Sequence, residues 1–512
     1  MEFPEGEIME VLGKAGAHET EMQSILIENG FRLRFPERVL KEAEDYPSEI
    51  GDEEIQRRRD FRETLTFTID PADAQDFDDA ISFKKIDEEW FEVGVHIADV
   101  SHYIKPNSFL DKEAYLRATS VYLVDRCVPM LPEKLSNGIC SLSPENDKLC
   151  FSAEFIMNKN AEIKSRWFGK TIIHSNRRFT YEQAQEILEG KEDALSEPLK
   201  ILNETAKQLR AKRFKNGSID FESVEVKFSL DALGTAVGVY LKERKDSNML
   251  IEDFMLLANR SVAEFVSKKK GKQIPFVYRV HDLPDTEKLQ DLSDLAMMFG
   301  HKLNFSTPKK TAFSINKMMQ EIKGKPEEYM LETLAIRTMA KAVYSSKNIG
   351  HYGLAFEFYT HFTSPIRRYP DLMVHRILEK VLSDEKINEP NIEARCLHAS
   401  EMERKAAEAE RTSIKLKQVE FMQKEIGKVF DGIISGVAEF GIFVITKDSY
   451  CEGMVRLNTI KSDYFAFEEK KHSIRGVNTH RRYSLGDVIK VKLVDANPER
   501  RTIDFELIET KN

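Results

Sequence analysis

The chain lacks any apolar run near the roughly 18 residues that a membrane-spanning helix needs, and its opening, MEFPEGEIMEVLGKAGAHET, has neither the basic start nor the apolar middle of a secretory leader. A cytoplasmic protein with no membrane partner is expected. Cysteine is scarce. Cys127, Cys140, Cys150, Cys396 and Cys451 are odd in number, widely spaced and never in a C-x-x-C pair, so neither a disulfide framework nor a zinc site is indicated. Reduced, mostly buried thiols are expected. There is no internal repeat and no low-complexity segment. A basic excess is missing too: the net charge of -10 argues against a surface that coats nucleic acid throughout, although a sum over the chain is silent about one channel or one face.

What is present is the mixture of a globular protein, 41% hydrophobic and 32% charged over 512 residues, enough chain for about three domains. Residues 1–56 read as an acidic helical lead-in, with HETEMQSILIENG and PERVLKEAEDY showing apolar residues at helical spacing. Residues 57–380 mix strand patterns (LTFTID, AISFKKI, WFEVGVHIADV, CFSAEFIM) with helical ones (IEDFMLLANRSVAEFVSKKK, MLETLAIRTMAKAVYSS) and contain no Gly- or Pro-rich linker, which predicts one large α+β domain. Residues 381–427 read as a helical strut with Ile392, Leu397, Ile414 and Val419 facing inward. From 428 to 508 short strands alternate with turn residues, the pattern of a small β-barrel.

The densest chemistry lies in TIDPADAQDFDDAIS, residues 68–82, where Asp70, Asp76, Asp78 and Asp79 follow an alternating apolar run. Each carboxylate raises the cost of ionising the next, so such a cluster calls for a cation. In an extended segment Asp76 and Asp78 share a face while Asp79 points away, and a local turn is needed to bring all four together. Oxygen-only ligation favours Mg²⁺ or Mn²⁺ over zinc. No register from Asp70, Asp73 or Asp76 gives the oxygen, glycine and glutamate spacing of a calcium loop. A solvated acidic loop is the alternative. One or two carboxylate-held ions suit phosphodiester hydrolysis, which also wants a cation on the phosphate. HFTSPIRRYPDLMVHRI, residues 361–377, offers one: Ser364-Pro365 turns the chain, and Arg367 and Arg368 stand where a helix begins.

The segments RRDFRETLTFTIDPADAQDFDDAIS, VGVHIADVSHYI, YLRATSVYLVDRCVPMLPEKLSNGICSLSPENDKLCFS and HYGLAFEFYTHFTSPIRRYPDLMVHRI together resemble the catalytic domain of the RNase II family of exoribonucleases, in wording closer to its RNase R branch. GVAEFGIFV, CEGMVRL and LGDVIKVKL are similar to the S1-type OB fold that ends these enzymes. The resemblance implies an α+β protein: a mixed α/β catalytic domain followed by an OB-fold barrel. It implies processive 3′-to-5′ hydrolysis of single-stranded RNA with a free 3′ end to nucleoside 5′-monophosphates, by a monomer that does not take DNA. Carried over by motif, Asp70, Asp76, Asp78 and Asp79 hold the metal, with Asp78 and Asp79 beside Arg367 as the catalytic set and Asp78 the most rate-critical. Tyr122 in SVYLVDR stacks on the terminal base, Arg368 assists on the phosphate, and Glu410 in EAERTS matches a glutamate near the channel. YRVHDLPD adds Arg279 and His281 as RNA contacts, and with a metal-activated water His96, His102, His281, His351, His361 and His375 are not needed as a base.

In the barrel region Phe440 and Phe443 can stack on bases, and residues 470–492 supply a basic patch. Arg456 stands where a typical S1 strand carries His. The family's two N-terminal cold-shock domains are expected to be lacking, with FPEGEIMEVLG resembling the tail of one, and no long Lys-rich tail precedes Asn512. Two other readings remain at this point: a catalytically idle RNA binder, which would be expected to have lost an acidic ligand or an arginine of SPIRRY, and a metal-dependent endonuclease with an open groove.

Overall fold

The computed structural model describes residue 8 and residues 10–219, 225–231, 234–269 and 274–509; most of the opening FPEGEIM lies outside them. Nine strands precede the first long helices: β1 (Arg59–Phe61), β2 (Thr66–Asp70), β3 (Asp79–Lys85), β4 (Trp90–Ala98), β5 (Val121–Tyr122), β6 (Cys127–Val128), β7 (Asp147–Asn158), β8 (Ile163–His174) and β9 (Arg177–Thr180). Seven of them form one mixed sheet in the order β1-β8-β7-β4-β3-β2-β9, while β5 and β6 make a separate hairpin. The β-branched and aromatic runs in β2, β4 and β7 are buried almost throughout, as strands covered on both faces require. At the centre, His96 lies between Ser82 and Ser152, hydrogen-bonded to each hydroxyl at 2.8 and 2.7 Å. Gly94 makes room for the ring, since a Cβ there would stand 2.4 Å from His96 Nε2.

Helices close over this sheet: Asp246–Ser267, Tyr369–Leu382 and the 32-residue Ile392–Gln423 all contribute to one large core. The lead-in helices His18–Glu28 and Glu37–Glu44 bury Met22, Ile25, Leu26, Val39 and Ala43 in that same core. A second cluster, Leu289 to Ala335 from helices Thr286–Met298, Pro308–Ile322 and Glu328–Thr338, includes Leu485 from the C-terminal region.

Two expectations about elements are corrected. The helix read over MLETLAIRTMAKAVYSS ends at Thr338, and Val343–Ser345 is a strand paired antiparallel with Tyr278–Val280. Ala340, Lys341 and Ala342 are good helix formers, but the available sheet partner overrides propensity. On the long helix, Ile392 and Val419 are buried and Ile414 is half-buried, whereas Leu397 is 61% exposed.

The C-terminal strands Val429–Ala438, Gly441–Thr446, Glu452–Arg456, Val488–Asn497 and Thr502–Ile508 form a closed five-stranded barrel with its own apolar core. Inserted between its third and fourth strands is a three-stranded sheet, Phe465–Glu468, Ser473–Gly476 and Arg482–Ser484. No helix among the described residues is long and apolar enough to cross a membrane.

Candidate active site

Sheet register creates the site. β2 and β3 run antiparallel, with Thr66 opposite Ser82 and Phe67 opposite Ile81, so Asp70 at the end of β2 and Asp79 at the start of β3 lie at the same edge. The loop between them carries Asp76 and Asp78. It is pinned from two sides by residues far away in the chain. Phe77 N donates to Ser141 Oγ at 3.0 Å, that hydroxyl donates to the Gln75 carbonyl at 2.7 Å, and Leu142 N donates to the Phe77 carbonyl at 3.0 Å. Arg178 on β9 donates to the carbonyls of Pro71 and Ala72 at 2.6 and 2.9 Å and lies over the Phe77 ring.

Asp78 is 4% exposed. One of its oxygens accepts from Ile366 N at 2.9 Å and the other from Arg367 Nε at 3.2 Å, so SPIRRY meets the aspartate loop directly. Arg367 also donates to Ser364 Oγ at 2.9 Å and keeps a partly exposed side chain. Arg368 is turned the other way. Its guanidinium grips both oxygens of Asp371 at 2.9 and 2.7 Å, and Asp371 also accepts from Ser364 N, so Arg368 fastens the turn that presents Arg367.

Burial raises the pKa of all four carboxyl groups. Asp70 is pushed up to about 6, with Asp76 adding to the rise, and Asp79 to about 7, with Asp70 adding to it. Asp78 lies well above the ordinary carboxylate range although Arg367 pulls it down. Asp76, Asp78 and Asp79 therefore sense Arg367, and Asp70 is linked to the cluster through Asp76 and Asp79. Among the described residues no group of three or more His, Cys, Asp or Glu side chains is gathered to hold a metal, and Asp78 uses one oxygen on a backbone amide and the other on Arg367. The donor set nevertheless fits a hard divalent ion: it is all carboxylate, and Asp70 Oδ2 is buried without a hydrogen-bond partner.

Tyr122 stands beside this centre, 40% exposed, and its phenol is pushed up by burial within electrostatic reach of Arg367, Asp76 and Asp78. The segment leading to it is tied to the arginine turn. Ser120 N donates to the Arg367 carbonyl at 2.9 Å, Thr119 Oγ1 to the same carbonyl at 3.3 Å, and Tyr369 N to the Ala118 carbonyl at 2.9 Å. Tyr181, the first residue after β9, feels Asp79, Asp70 and Arg367 and also belongs to the site. Ser141, Arg178 and Tyr181 had no sequence signal, because only the pairing of β2 with β9 and the packing of residues 141–142 on the loop bring them there.

The remaining candidates lie elsewhere in the network. Arg279 forms a two-pronged pair with Glu403 of the long helix, at 2.6 and 2.9 Å, and lies over the Tyr344 ring. His281 is buried, with one ring nitrogen on the Ala340 carbonyl and the other on Gly353 N, and is stacked on His351. Both side chains are thus engaged within the protein. Glu410 is half-buried on the long helix, where its carbonyl accepts from Ser413 Oγ at 2.7 Å. In the barrel Phe440 is 62% exposed at the turn between the first two strands, with Phe443 edge-on to it at 6.1 Å. Arg456 is exposed and faces Asp504 at 3.4 Å. Four cysteines are buried, Cys127 is exposed, and all five are free.

Residues 58–384 match the RNB domain, residues 423–508 the S1 RNA binding domain, and residues 1–30 the Dis3-like cold-shock domain 2. The chain is 40% identical to Ribonuclease R of Aquifex aeolicus over 98% of its own length and 72% of that protein. It is 38% identical to Ribonuclease R 1 of Lactococcus lactis over its whole length, which is 64% of that relative. Among solved structures it is similar to Mycoplasma genitalium RNase R in complex with ribose-methylated single-stranded RNA. The TM-score there is 0.92 at 30% identity, over 98% of this chain and 79% of that one.

Proposed function

The chain belongs to the RNB-domain ribonucleases of the Ribonuclease R kind, 3′-to-5′ exoribonucleases of RNA degradation, and from that premise we propose that it works processively from the free 3′ end of single-stranded RNA and releases nucleoside 5′-monophosphates. The observation that carries this reading is the meeting of Asp78 with Arg367, 289 positions apart in the chain and joined in one half-buried pair at the mouth of the aspartate loop. Residues 57–380 supply the chemistry, 381–427 the strut and 428–508 the RNA platform. The proposed working form is a cytoplasmic monomer acting on RNA rather than DNA.

RNB ribonucleases depend on divalent metal, and Mg²⁺, as one or two ions, is the proposed cofactor here. Asp70, Asp76, Asp78 and Asp79 would hold it. When bound, it supplies Lewis acidity at the phosphate and lowers the pKa of the attacking water. The chain's own groups do the rest. Arg367 is partly exposed, so it is open to exchanging Asp78 for the scissile phosphate, which offers it a two-pronged acceptor and leaves Asp78 as a free carboxylate. Arg368, locked on Asp371, keeps that turn in place while Arg367 moves. Tyr122 stacks on the terminal base, a contact open to any nucleotide because each base has a π-face.

A time course on 5′-labelled linear RNA, beside a circular RNA of the same sequence, tests the reading. With Mg²⁺, the linear RNA falls directly to a short 5′-labelled remnant and the circle persists. EDTA and Asp78→Asn each lower the rate by about 10³-fold or more, the scale of removing a group that stabilises the transition state. Cleavage of the circle would show an endonuclease, and intact linear RNA with retained binding would show an idle binder.

A further inference from the structure

The hairpin that carries Tyr122 is only two residues long on each strand, too short to hold itself in place, and its tip is fastened by side chains for which the chemistry above has no use. Leu123 N donates to the Arg126 carbonyl at 2.8 Å, so residues 123–126 form the tip. There Asp125 Oδ2 accepts from Arg126 and, at 2.8 Å, from His18 Nε2. The other ring nitrogen, His18 Nδ1, faces Lys417 Nζ at 2.9 Å. An ammonium group has donors and no lone pair, so Nδ1 must accept and the imidazole proton sits on Nε2, aimed at Asp125. Lys417 is fully buried, and its charge is answered by Glu420 at 2.7 Å.

Two further contacts fix the geometry. Gly234, at φ +76°, lies against the imidazole, and a Cβ there would stand 2.3 Å from His18 Cδ2, so only glycine leaves room for the ring in this seat. Val124 N donates to Ser413 Oγ at 3.1 Å, one turn before Lys417 on the long helix. Burying a lysine costs several kcal/mol unless it is paired, so an anchor of this kind at a four-residue tip implies that the tip's position matters.

We propose that Lys417, His18 and Asp125 form a positioning relay that sets the Tyr122 ring over the 3′-terminal base. The inference rests on the stacking role proposed for Tyr122. Its consequence is that the segment matching cold-shock domain 2, which includes His18, is hydrogen-bonded to the base clamp of the catalytic domain.

The test uses the full chain and RNA ending in 3′-terminal 2-aminopurine, bound in EDTA so that it stays intact, with fluorescence quenching as the report of stacking and melting temperature as the control for folding. Wild type quenches the probe and Tyr122→Ala does not. His18→Ala loses most of the quenching, and His18→Gln, whose amide both donates and accepts, restores it. With Mg²⁺, His18→Ala lowers kcat about tenfold when Tyr122 is present and not at all in Tyr122→Ala, a coupling of the size that contacting residues show. If His18→Ala fails to fold, Gly234→Ala, which crowds the ring without removing a relay group, must produce the same loss of quenching. Equal losses of kcat in both Tyr122 backgrounds, or full quenching in the folded relay variants, overturn the relay. Full quenching in Tyr122→Ala overturns the stacking reading and the relay with it.

Discussion

Asp78 and Arg367 show how much of the site a single residue pair decides. The aspartate is buried among like charges and the arginine offsets it, so their contact is the electrostatic solution of the folded chain and, under the proposed roles, the joint at which substrate would intervene. His96 poses the opposite problem, a base buried without a counter-ion. Burial holds its pKa down at about 3, against about 6.5 in an unfolded chain. Between those values the unfolded state takes up the extra proton, so the stability tied to the neutral ring is present above pH 6.5 and is lost as pH falls towards 3. Wild type should therefore lose stability more steeply than His96→Gln, by about 1.4 kcal/mol per pH unit between about pH 5.5 and 4. Urea titrations at a series of pH values measure this, and parallel profiles would mean that the ring is already protonated inside the fold. The aspartates could be read in advance because four of them crowd ten positions, and Arg367 and Tyr122 because family motifs surround them. Ser141, Arg178 and Tyr181 are single ordinary residues whose relevance is created by pairing partners more than sixty positions away.

Among the elements, the aspartate loop is the one whose shape is imposed from outside. It has no regular structure over residues 71–78, and the hydroxyl of Ser141 bridges its Gln75 carbonyl and its Phe77 amide. Ser141→Ala leaves that amide buried without an acceptor, a cost of about 1–3 kcal/mol, and should lower kcat on long RNA with KM unchanged because the barrel is untouched. Urea unfolding and steady-state kinetics check both halves, and a raised KM at unchanged kcat would instead place this loop in RNA capture. Four strands of the sheet, β2, β3, β4 and β7, were legible from their alternating or continuous apolar runs, whereas β1, β8 and β9 were not read. The helix over 328–338 was overrun because its apolar spacing continues into residues that a sheet partner claims, and sequence spacing alone does not reveal that partner.

For the whole molecule, a net charge of -10 has to be reconciled with a polyanionic substrate. The inserted sheet of the barrel presents Arg475 and Arg482 outward, and Phe440 stands exposed at the turn between the first two barrel strands. Stacking and charge can be separated there. Phe440→Ala should weaken RNA binding by about 1–3 kcal/mol at every salt concentration, while Arg475→Gln should make the salt dependence shallower by about 0.7 in slope. Anisotropy titrations across ionic strength distinguish them, and a changed slope in the Phe variant would argue against stacking. The barrel was legible from its regular turn spacing. The insert was not, because its short strands lie largely within residues 470–492, whose density of basic residues reads as a charged patch.

The carbonyl of Arg367 receives both Ser120 N and Thr119 Oγ1, two and three residues before Tyr122. Under the proposed roles, the group that grips the phosphate and the ring that caps the last base are thus tied together through two hydrogen bonds to one carbonyl. With both roles hung on one carbonyl, that pair of bonds would act as a ruler, holding the spacing between phosphate and base at a fixed stride whatever the base.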